Sequence, residues 1–162
     1  MDAVYCMGVI QHTSDPRAVI RSLPSYLKPG GQIAYNFYEE GVWRRLQVLK
    51  YALRLITPHL SVSQNLVLSE FLVGLFFPLT RRIAEIPKVR IINHFFPIAS
   101  VHDAQLSLED QRAWTLLDTL DWYGARYEKR QYHDDVAAEL QDVGMSSVRS
   151  RPGLAWATKP EK

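Results

Sequence analysis

A single cysteine, Cys6, occurs among the 162 residues, so the chain cannot form an internal disulfide. A disulfide-stapled secreted fold and a cysteine-rich zinc site are therefore excluded, and we expect a reducing, cytoplasmic compartment. The formal net charge is only +2, which argues against a dedicated nucleic-acid-binding protein. Asp2 follows Met1 directly, so the start of the chain does not have the pattern of a secretory signal.

Long apolar runs are also scarce. The longest, residues 66–79, already contains a serine and a glutamate. We expect it to be a buried or interfacial helix, too short to span a bilayer. Apolar residues make up 47% of the chain and charged residues 22%, which is the composition of an ordinary globular domain with a sizeable core.

The first 38 residues predict a βαβ unit. Residues 3–10 form a nearly continuous apolar run, typical of a parallel strand that is buried on both faces. Asp15 and Pro16 have the residue types of an N-cap and a first helical position. A Pro-Gly turn at residues 28–31 then leads into a second strand at residues 32–38, which is rich in aromatic and β-branched side chains. The two strands should be parallel, with a right-handed crossover.

The middle of the chain, residues 43–120, has a different pattern. Leucine and isoleucine recur at helical spacing, and prolines interrupt the segment at Pro58, Pro78, Pro87 and Pro97. This pattern predicts several short helices joined by turns that contain proline. Because the segment is too long for a simple connection, we interpret it as a helical insert.

The end of the chain returns to the pattern of a sheet. Residues 134–143 predict a helix that Gly144 ends. Residues 146–150 and 154–158 predict two short strands around a tight turn. The predicted fold class is therefore α/β, with a βαβ segment at 1–42, the insert at 43–120 and a helix with a strand pair at 121–162.

Two blocks of sequence carry a resemblance to a known family. GVIQHT at residues 8–13 and LKPGG at residues 27–31 resemble the middle of class I S-adenosylmethionine-dependent methyltransferases of the type 11/12 kind. Residues 121–127 and the helix before Gly144 resemble the end of that family, with Met145 where it has phenylalanine. The resemblance implies later strands of a partial Rossmann-like sheet, and an insert that binds the acceptor or forms a lid.

The activity that the resemblance implies is methyl transfer from the cofactor S-adenosylmethionine to a small-molecule or lipid-linked acceptor. The glycine-rich cofactor loop of the family has no counterpart, since the eight glycines include no G-x-G. The acidic residue that holds the cofactor's ribose is missing as well. We therefore expect the C-terminal half of a methyltransferase, in which the first strand becomes a sheet edge.

The expected edge strand leaves two interpretations open. A missing N-terminal half or a second copy in a homodimer would cover the edge. The alternative to a methyltransferase is a non-catalytic remnant, or a partner-binding module that uses the exposed edge.

Cofactor-binding and catalytic candidates follow the first strand, because ligands of α/β sheets bind at the carboxyl ends of strands. The resemblance implies that Cys6, Met7, Gly8 and Val9 line the methionine end of the cofactor. Otherwise these residues are core positions and a strand end. His12 is the candidate catalytic residue, as a base toward the acceptor, or it has the structural role of holding the loop.

Substrate-binding candidates lie at the end of the second strand and before the last helix. An aromatic wall with a carboxylate suits a pocket for an acceptor, and packing is the alternative for each side chain. The candidates are Tyr38, Glu39, Asp121, Trp122, Tyr123 and Tyr127.

His94, His102 and Asp103 do not have the spacing of a recognised ligand set, so we predict no metal. Four basic residues accompany the leucine stripe near the start of the insert, namely Arg44, Arg45, Lys50 and Arg54. Such a face suits anionic lipid in a peripheral membrane contact, an anionic acceptor, or plain solvation.

Overall fold

The computed structural model describes residues 1–42 and 46–161. The chain divides into two compact units, an α/β unit (1–41 and 127–162) and a helical unit (42–126). The second boundary lies after residue 126 rather than after residue 120, because the helix that crosses the predicted boundary continues to Gly124.

A four-stranded mixed sheet forms the α/β unit. Its strands are β1 (Ala3–Cys6), β2 (Gln32–Asn36), β3 (Ser146–Arg151) and β4 (Leu154–Thr158), in the spatial order β1-β2-β4-β3. β1 and β2 are parallel, as the sequence predicts, while β4 is antiparallel to both β2 and β3. The fold is α/β, and the mixed sheet is compatible with part of a methyltransferase-like fold.

Helix α1 (Pro16–Ser22) begins as the sequence predicts. The side chain of Asp15 accepts a hydrogen bond from the backbone N–H of Ala18, and Pro16 occupies the first turn. Pro24 shortens the helix, since the chain continues from Leu23 as a 3-10 turn.

The second helix of the α/β unit, which is α5 in chain order, spans His133–Asp142, and Gly144 follows it with a φ of +78°. This left-handed conformation after a helix favours glycine, as the sequence predicts.

The core of the α/β unit combines side chains from its helices, its sheet and the loop after β1. Its fully buried members include Ile10, Ile20, Tyr35, Val136 and Leu140.

Within residues 1–42 and 46–161, β1 pairs with β2 alone and lies at an edge of the sheet. Its side chains alternate between exposed and half-buried, and Tyr5 is 72% exposed. The prediction of a strand buried on both faces is therefore wrong, because apolar composition alone does not supply the packing layers that would have to cover both faces of the strand.

The helical unit contains α2 (Val48–Leu53), α3 (Val62–Ala84) and α4 (Leu108–Gly124). Short 3-10 turns cover Thr57–His59 and Arg90–Phe95. Its core residues come mainly from α3 and α4, and are Leu72, Val73, Phe77, Ile98 and Tyr123.

Helix α3 corrects two expectations about the insert. It continues through Pro78 for 23 residues instead of ending there, because side chains on both sides of the proline, such as Phe77 and Thr80, are buried. A reciprocal capping box between Ser61 and Gln64 fixes its start. By length and composition α3 is also long enough to cross a membrane, and 28% of its most apolar window is buried. The expectation that this helix is too short to span a bilayer, which was based on residues 66–79 alone, therefore does not hold.

The LKPGG turn yields a stability prediction. Gly31 donates its N–H to the carbonyl oxygen of Lys28 at 2.9 Å, and Gly30 has a φ of +76°. A Cβ atom on Gly31 would lie only 2.9 Å from that same oxygen and 3.1 Å from the carbonyl oxygen of Met1. We expect Gly31→Ala to lower the free energy of unfolding by about 1–3 kcal/mol, in urea titrations.

Gly41→Ala is the matched control, since none of the described residues comes within 4 Å of a Cβ placed there. We expect this control to leave the free energy of unfolding almost unchanged. An equal loss in both variants would contradict the steric explanation.

Candidate functional site

The chain segment that follows α4 runs back along the carboxyl ends of β1 and β2. Lys129 donates its backbone N–H to Gln11 O at 2.8 Å, and Gln131 donates to Tyr38 O at 2.9 Å. Glu40 completes the ladder by donating to Gln131 O at 2.9 Å. We call this strip of backbone and the side chains along it the carboxyl edge. It is where an open α/β sheet binds its ligands.

His12 lies on the carboxyl edge and is half-buried. Its Nδ1 is 3.1 Å from Tyr127 O, and its ring meets Tyr38 edge-on with 5.5 Å between the ring centroids. Because a carbonyl oxygen only accepts, this contact assigns a proton to Nδ1. The geometry suits both a structural role and a base, so catalysis by His12 stays a prediction.

Arg130 and Glu128 form a buried ion pair beside this histidine. Arg130 Nη2 is 3.0 Å from Glu128 Oε1, and the two side chains are 14% and 3% exposed. The guanidinium lies 5.7 Å from the centre of the Tyr38 ring and donates to Glu39 O at 3.3 Å. Arg130 therefore contacts both Tyr38 and Glu39, which lie shortly after the end of β2.

Glu39 binds the start of α5 with its carboxylate. Oε1 accepts from His133 Nδ1 at 2.8 Å and from the backbone N–H of His133 at 3.3 Å. Oε2 accepts from the N–H of Gly153 at 3.3 Å. The hydrogen bond from His133 to Glu39 raises the pKa of the imidazole above its ordinary value, and Asp134 adds to the effect.

This pair has the arrangement of an oriented base. The carboxylate holds the Nδ1 proton of His133, so Nε2 is the nitrogen that can accept a proton from a ligand. Nε2 lies 3.6 Å from the exposed carboxylate of Asp134, and the His133 side chain keeps 34% of its surface exposed. An imidazole with a raised pKa is a stronger proton acceptor.

The loop after β1 contains the predicted cofactor-binding residues. Gly8 has a φ of +73°, and its N–H donates to Asn36 Oδ1 at 2.6 Å. Met7 and Val9 are about half exposed, and burial raises the pKa of the half-buried Cys6 thiol. The loop fits one open wall of an S-adenosylmethionine site. The N–H of Gly8 is already bound to Asn36, and no glycine-rich loop is present, so the described residues do not complete that site.

The predicted aromatic wall is divided between the two units. Tyr123 is fully buried in the helical unit and donates its hydroxyl to Pro97 O at 2.7 Å, so it packs in the core. Trp122 lies under Lys50 in the same unit, and Asp121 is exposed at the end of α4. Tyr127 belongs to the α/β unit, where its carbonyl oxygen contacts His12.

The predicted basic face is wrong for the two members that the structure describes. Lys50 is 1% exposed, with its Nζ 4.0 Å from the centre of the Trp122 ring. Arg54 donates to the carbonyl oxygens of Trp122 and, at 3.1 Å, Ala125. These cations bind the carboxyl end of α4, where the helix dipole favours positive charge. Arg44 and Arg45 lie outside the described residues.

Metal-ligating side chains do not converge in the part of the chain that the structure describes, where no group of three His, Cys, Asp or Glu could hold an ion. His102 packs against Phe77 in the helical unit, and its Nε2 is 3.2 Å from Thr80 Oγ1. Burial lowers the pKa of His102, and Arg81 acts in the same direction.

Sequence reasoning missed Glu128, Arg130 and His133. His133 was visible only as the residue before the acidic first turn of α5. Its partner, Glu39, is 94 positions away along the chain. The alternating charges of Glu128 and Arg130 gave no signal that these side chains form a buried pair.

Comparison with known proteins gives a short local similarity. A ubiquinone biosynthesis O-methyltransferase from Xanthomonas axonopodis pv. citri (strain 306) is 53% identical to this chain over 32 residues. These residues are 20% of this chain and 13% of the Xanthomonas protein. No family model matches the chain, and no solved structure matches it. The similarity supports a methyltransferase at the general level.

The Glu39–His133 pair should make stability depend on pH. Because the pKa of His133 is raised in the folded state, its contribution is fully present below the unfolded pKa of about 6.5 and is lost as the pH rises through the folded pKa. We expect His133→Gln to lower the free energy of unfolding more at about pH 6 than at about pH 9. Denaturant titrations at both pH values measure the difference.

Glu39→Gln should remove the same pH-dependent contribution to the free energy of unfolding, because glutamine keeps the size of the side chain but not its charge. His59→Gln is the control, because His59 is exposed. If His133→Gln lowers the free energy of unfolding equally at the two pH values, the contact with Glu39 does not stabilise the protonated form of His133 in the folded protein.

Proposed function

We propose that the chain is the acceptor-side part of an S-adenosylmethionine-dependent methyltransferase that acts on a hydroxyl group of a small-molecule or lipid-linked acceptor. The observation that carries the proposal is the Glu39–His133 pair at the carboxyl edge, 2.8 Å apart. Methylation of oxygen needs a base that removes the hydroxyl proton, and this pair supplies one. The local identity to an O-methyltransferase supports the same chemistry.

In the proposed reaction His133 Nε2 takes the proton of the acceptor hydroxyl. The Nδ1 proton stays on the hydrogen bond to Glu39, whose carboxylate balances the positive charge of the imidazolium. Bound S-adenosylmethionine would supply the methyl group from its positively charged sulfur: the sulfur–methyl bond would break as the acceptor oxygen bonds to the methyl carbon, and neutral S-adenosylhomocysteine would leave. The remaining contribution is alignment of the acceptor, toward which Tyr38 and the loop from Cys6 to Val9 are the candidate walls.

His12 is the rival base in the same proposal. Its Nδ1 contacts the carbonyl oxygen of Tyr127, whereas Nδ1 of His133 contacts a carboxylate. The carboxylate partner of His133 is the reason for preferring that residue as the base.

The proposal predicts different behaviour for binding and turnover. Titration calorimetry of S-adenosylmethionine into the 162-residue chain should show no micromolar binding, because the sequence contains no G-x-G. In a form that also carries a glycine-rich cofactor segment, radiolabelled methyl transfer to a catechol probe should fall by about two to four decades in His133→Gln. Cofactor affinity should stay within threefold of the parent, since His133 does not lie in the loop after β1.

His12→Gln is the matched control for that assay. A large loss of turnover in His12→Gln, with His133→Gln unaffected, would transfer the role of base to His12. Micromolar cofactor binding by the 162 residues alone would contradict an incomplete cofactor site, and no methyl transfer in the extended form would contradict the proposed reaction.

The free edge of β1 supports a second candidate function, a module that pairs with another strand. In the part of the chain that the structure describes, β1 pairs with β2 alone, and Tyr5 on β1 is exposed. An exposed edge presents backbone donors and acceptors to any strand that approaches. A second copy of the chain or a missing N-terminal half would satisfy them.

Tyr5→Lys tests this candidate. A lysine on an edge strand opposes strand pairing, and at 72% exposure the change removes little core packing. If the edge pairs with a second copy, light scattering should show a dimer for the parent chain and a monomer for Tyr5→Lys. Tyr132→Lys, at an exposed tyrosine outside the sheet, is the control. A monomeric parent chain would contradict self-pairing.

A further inference from the structure

A cavity of about 490 Å³ opens between α3 and α4 in the helical unit. Three guanidinium groups line it, those of Arg81, Arg82 and Arg112, against a single carboxylate, that of Glu85. We call it the arginine groove. Arg82 and Arg112 are exposed, and among residues 1–42 and 46–161 neither forms a hydrogen bond or an ion pair. Their charge is therefore available to an anion.

The rest of the arginine groove is apolar. Val73, Phe77, Pro78 and Leu108 contribute its lining. A small hydrophilic anion would leave this apolar surface in contact with water. The combination of guanidinium groups and apolar lining fits a ligand that joins a phosphate to a hydrocarbon part.

The neighbouring carboxylates lie on the other side of Arg112. Glu70 and Glu109 line an adjacent cavity that shares Arg112 with the arginine groove. Of the three arginines of the groove, Arg112 is the one that also lines this cavity, so Glu70 and Glu109 lie away from Arg81 and Arg82.

The exposed side of α3 continues this chemistry away from the groove. Val67, Phe71, Leu75 and Leu79 recur every fourth residue, so they lie along one side of the helix. Their side chains are 65%, 65%, 58% and 47% exposed. This apolar stripe ends three residues before Arg82. The exposed surface of α3 therefore changes from apolar to basic toward the end of the helix.

The segment after α3 repeats the combination. Lys88 and Arg90 are exposed, and so are the large apolar side chains of Ile86, Ile91 and Phe95. Exposed apolar side chains beside several cations are typical of a protein surface that binds anionic lipid.

We propose that the arginine groove binds the phosphate head group of an anionic membrane lipid, and that the apolar stripe of α3 lies among the upper acyl chains. Charge complementarity favours a lipid, because one surface then neutralises the arginines and covers the stripe. A second copy of the chain would cover the stripe but bring further arginines. The inference is independent of methyl transfer, and its test uses no enzyme assay.

Vesicle flotation with the 162-residue chain tests the proposal. We expect binding to vesicles of phosphatidylglycerol and phosphatidylcholine, and much weaker binding to phosphatidylcholine alone. Arg82→Gln with Arg112→Gln should weaken binding to the anionic vesicles about twenty-five-fold, at about fivefold for each arginine. Phe71→Ser with Leu75→Ser should abolish insertion, and circular dichroism checks that the helices persist.

Matched controls come from exposed residues of the α/β unit. Lys129→Gln with Arg149→Gln removes the same charge, and Tyr26→Ser with Tyr132→Ser removes similar exposed apolar area. Each should change vesicle affinity by less than threefold. An equal loss of vesicle affinity in the charge controls would contradict the proposed role of the arginine groove, because the attraction would then depend on net charge alone.

Two further results would overturn the proposal. Saturable binding of inorganic phosphate in the groove without vesicle binding would identify a soluble anion as the ligand. A dimer that Phe71→Ser with Leu75→Ser converts to a monomer, again without vesicle binding, would identify a second copy as the occupant of the stripe.

Discussion

The carboxylate of Glu39 connects three parts of the α/β unit that are far apart in sequence. It accepts hydrogen bonds from the backbone and ring of His133 at the start of α5, and from Gly153 in the turn between β3 and β4. The backbone of Glu39 pairs with Gln131 beyond the end of β2. A single residue thus sets the positions of a strand end, a helix start and a turn, and the orientation of the candidate base follows from it.

Support for Glu39 comes from the buried pair of Glu128 and Arg130. A buried charge is costly unless it is paired, and here each side chain is the partner of the other at 3.0 Å. Arg130 also donates to the carbonyl oxygen of Glu39, so the pair and the carboxyl edge form one network. Removing one member would leave its partner buried without its ion-pair contact, which is why the site requires the whole network to be in place.

Local sequence signals predicted the parts of the fold whose causes are local. The Asp15 cap, the LKPGG turn and the stop at Gly144 each depend on a backbone conformation that a few neighbouring residues decide. The prolines of the insert were a weaker guide, since packing on both sides of Pro78 outweighs the loss of one helical hydrogen bond. Sequence reasoning proposed His12 as the catalytic residue and missed His133, because the sequence contains no information on which distant carboxylate reaches which imidazole.

The basic residues of the helical unit differ in whether the fold already engages their charge. Lys50 and Arg54 are adjacent to the leucine stripe in sequence, yet both are engaged at the carboxyl end of α4, where aromatic and carbonyl groups surround them. A cation held in that way stabilises the helix end and is not available to a ligand without leaving its partners. Arg82 and Arg112, which no sequence pattern singled out, keep their charge exposed beside an apolar cavity. The proposed contact with an anionic surface therefore uses the arginine groove rather than Lys50 and Arg54, because electrostatic attraction needs charge that the fold has not already used.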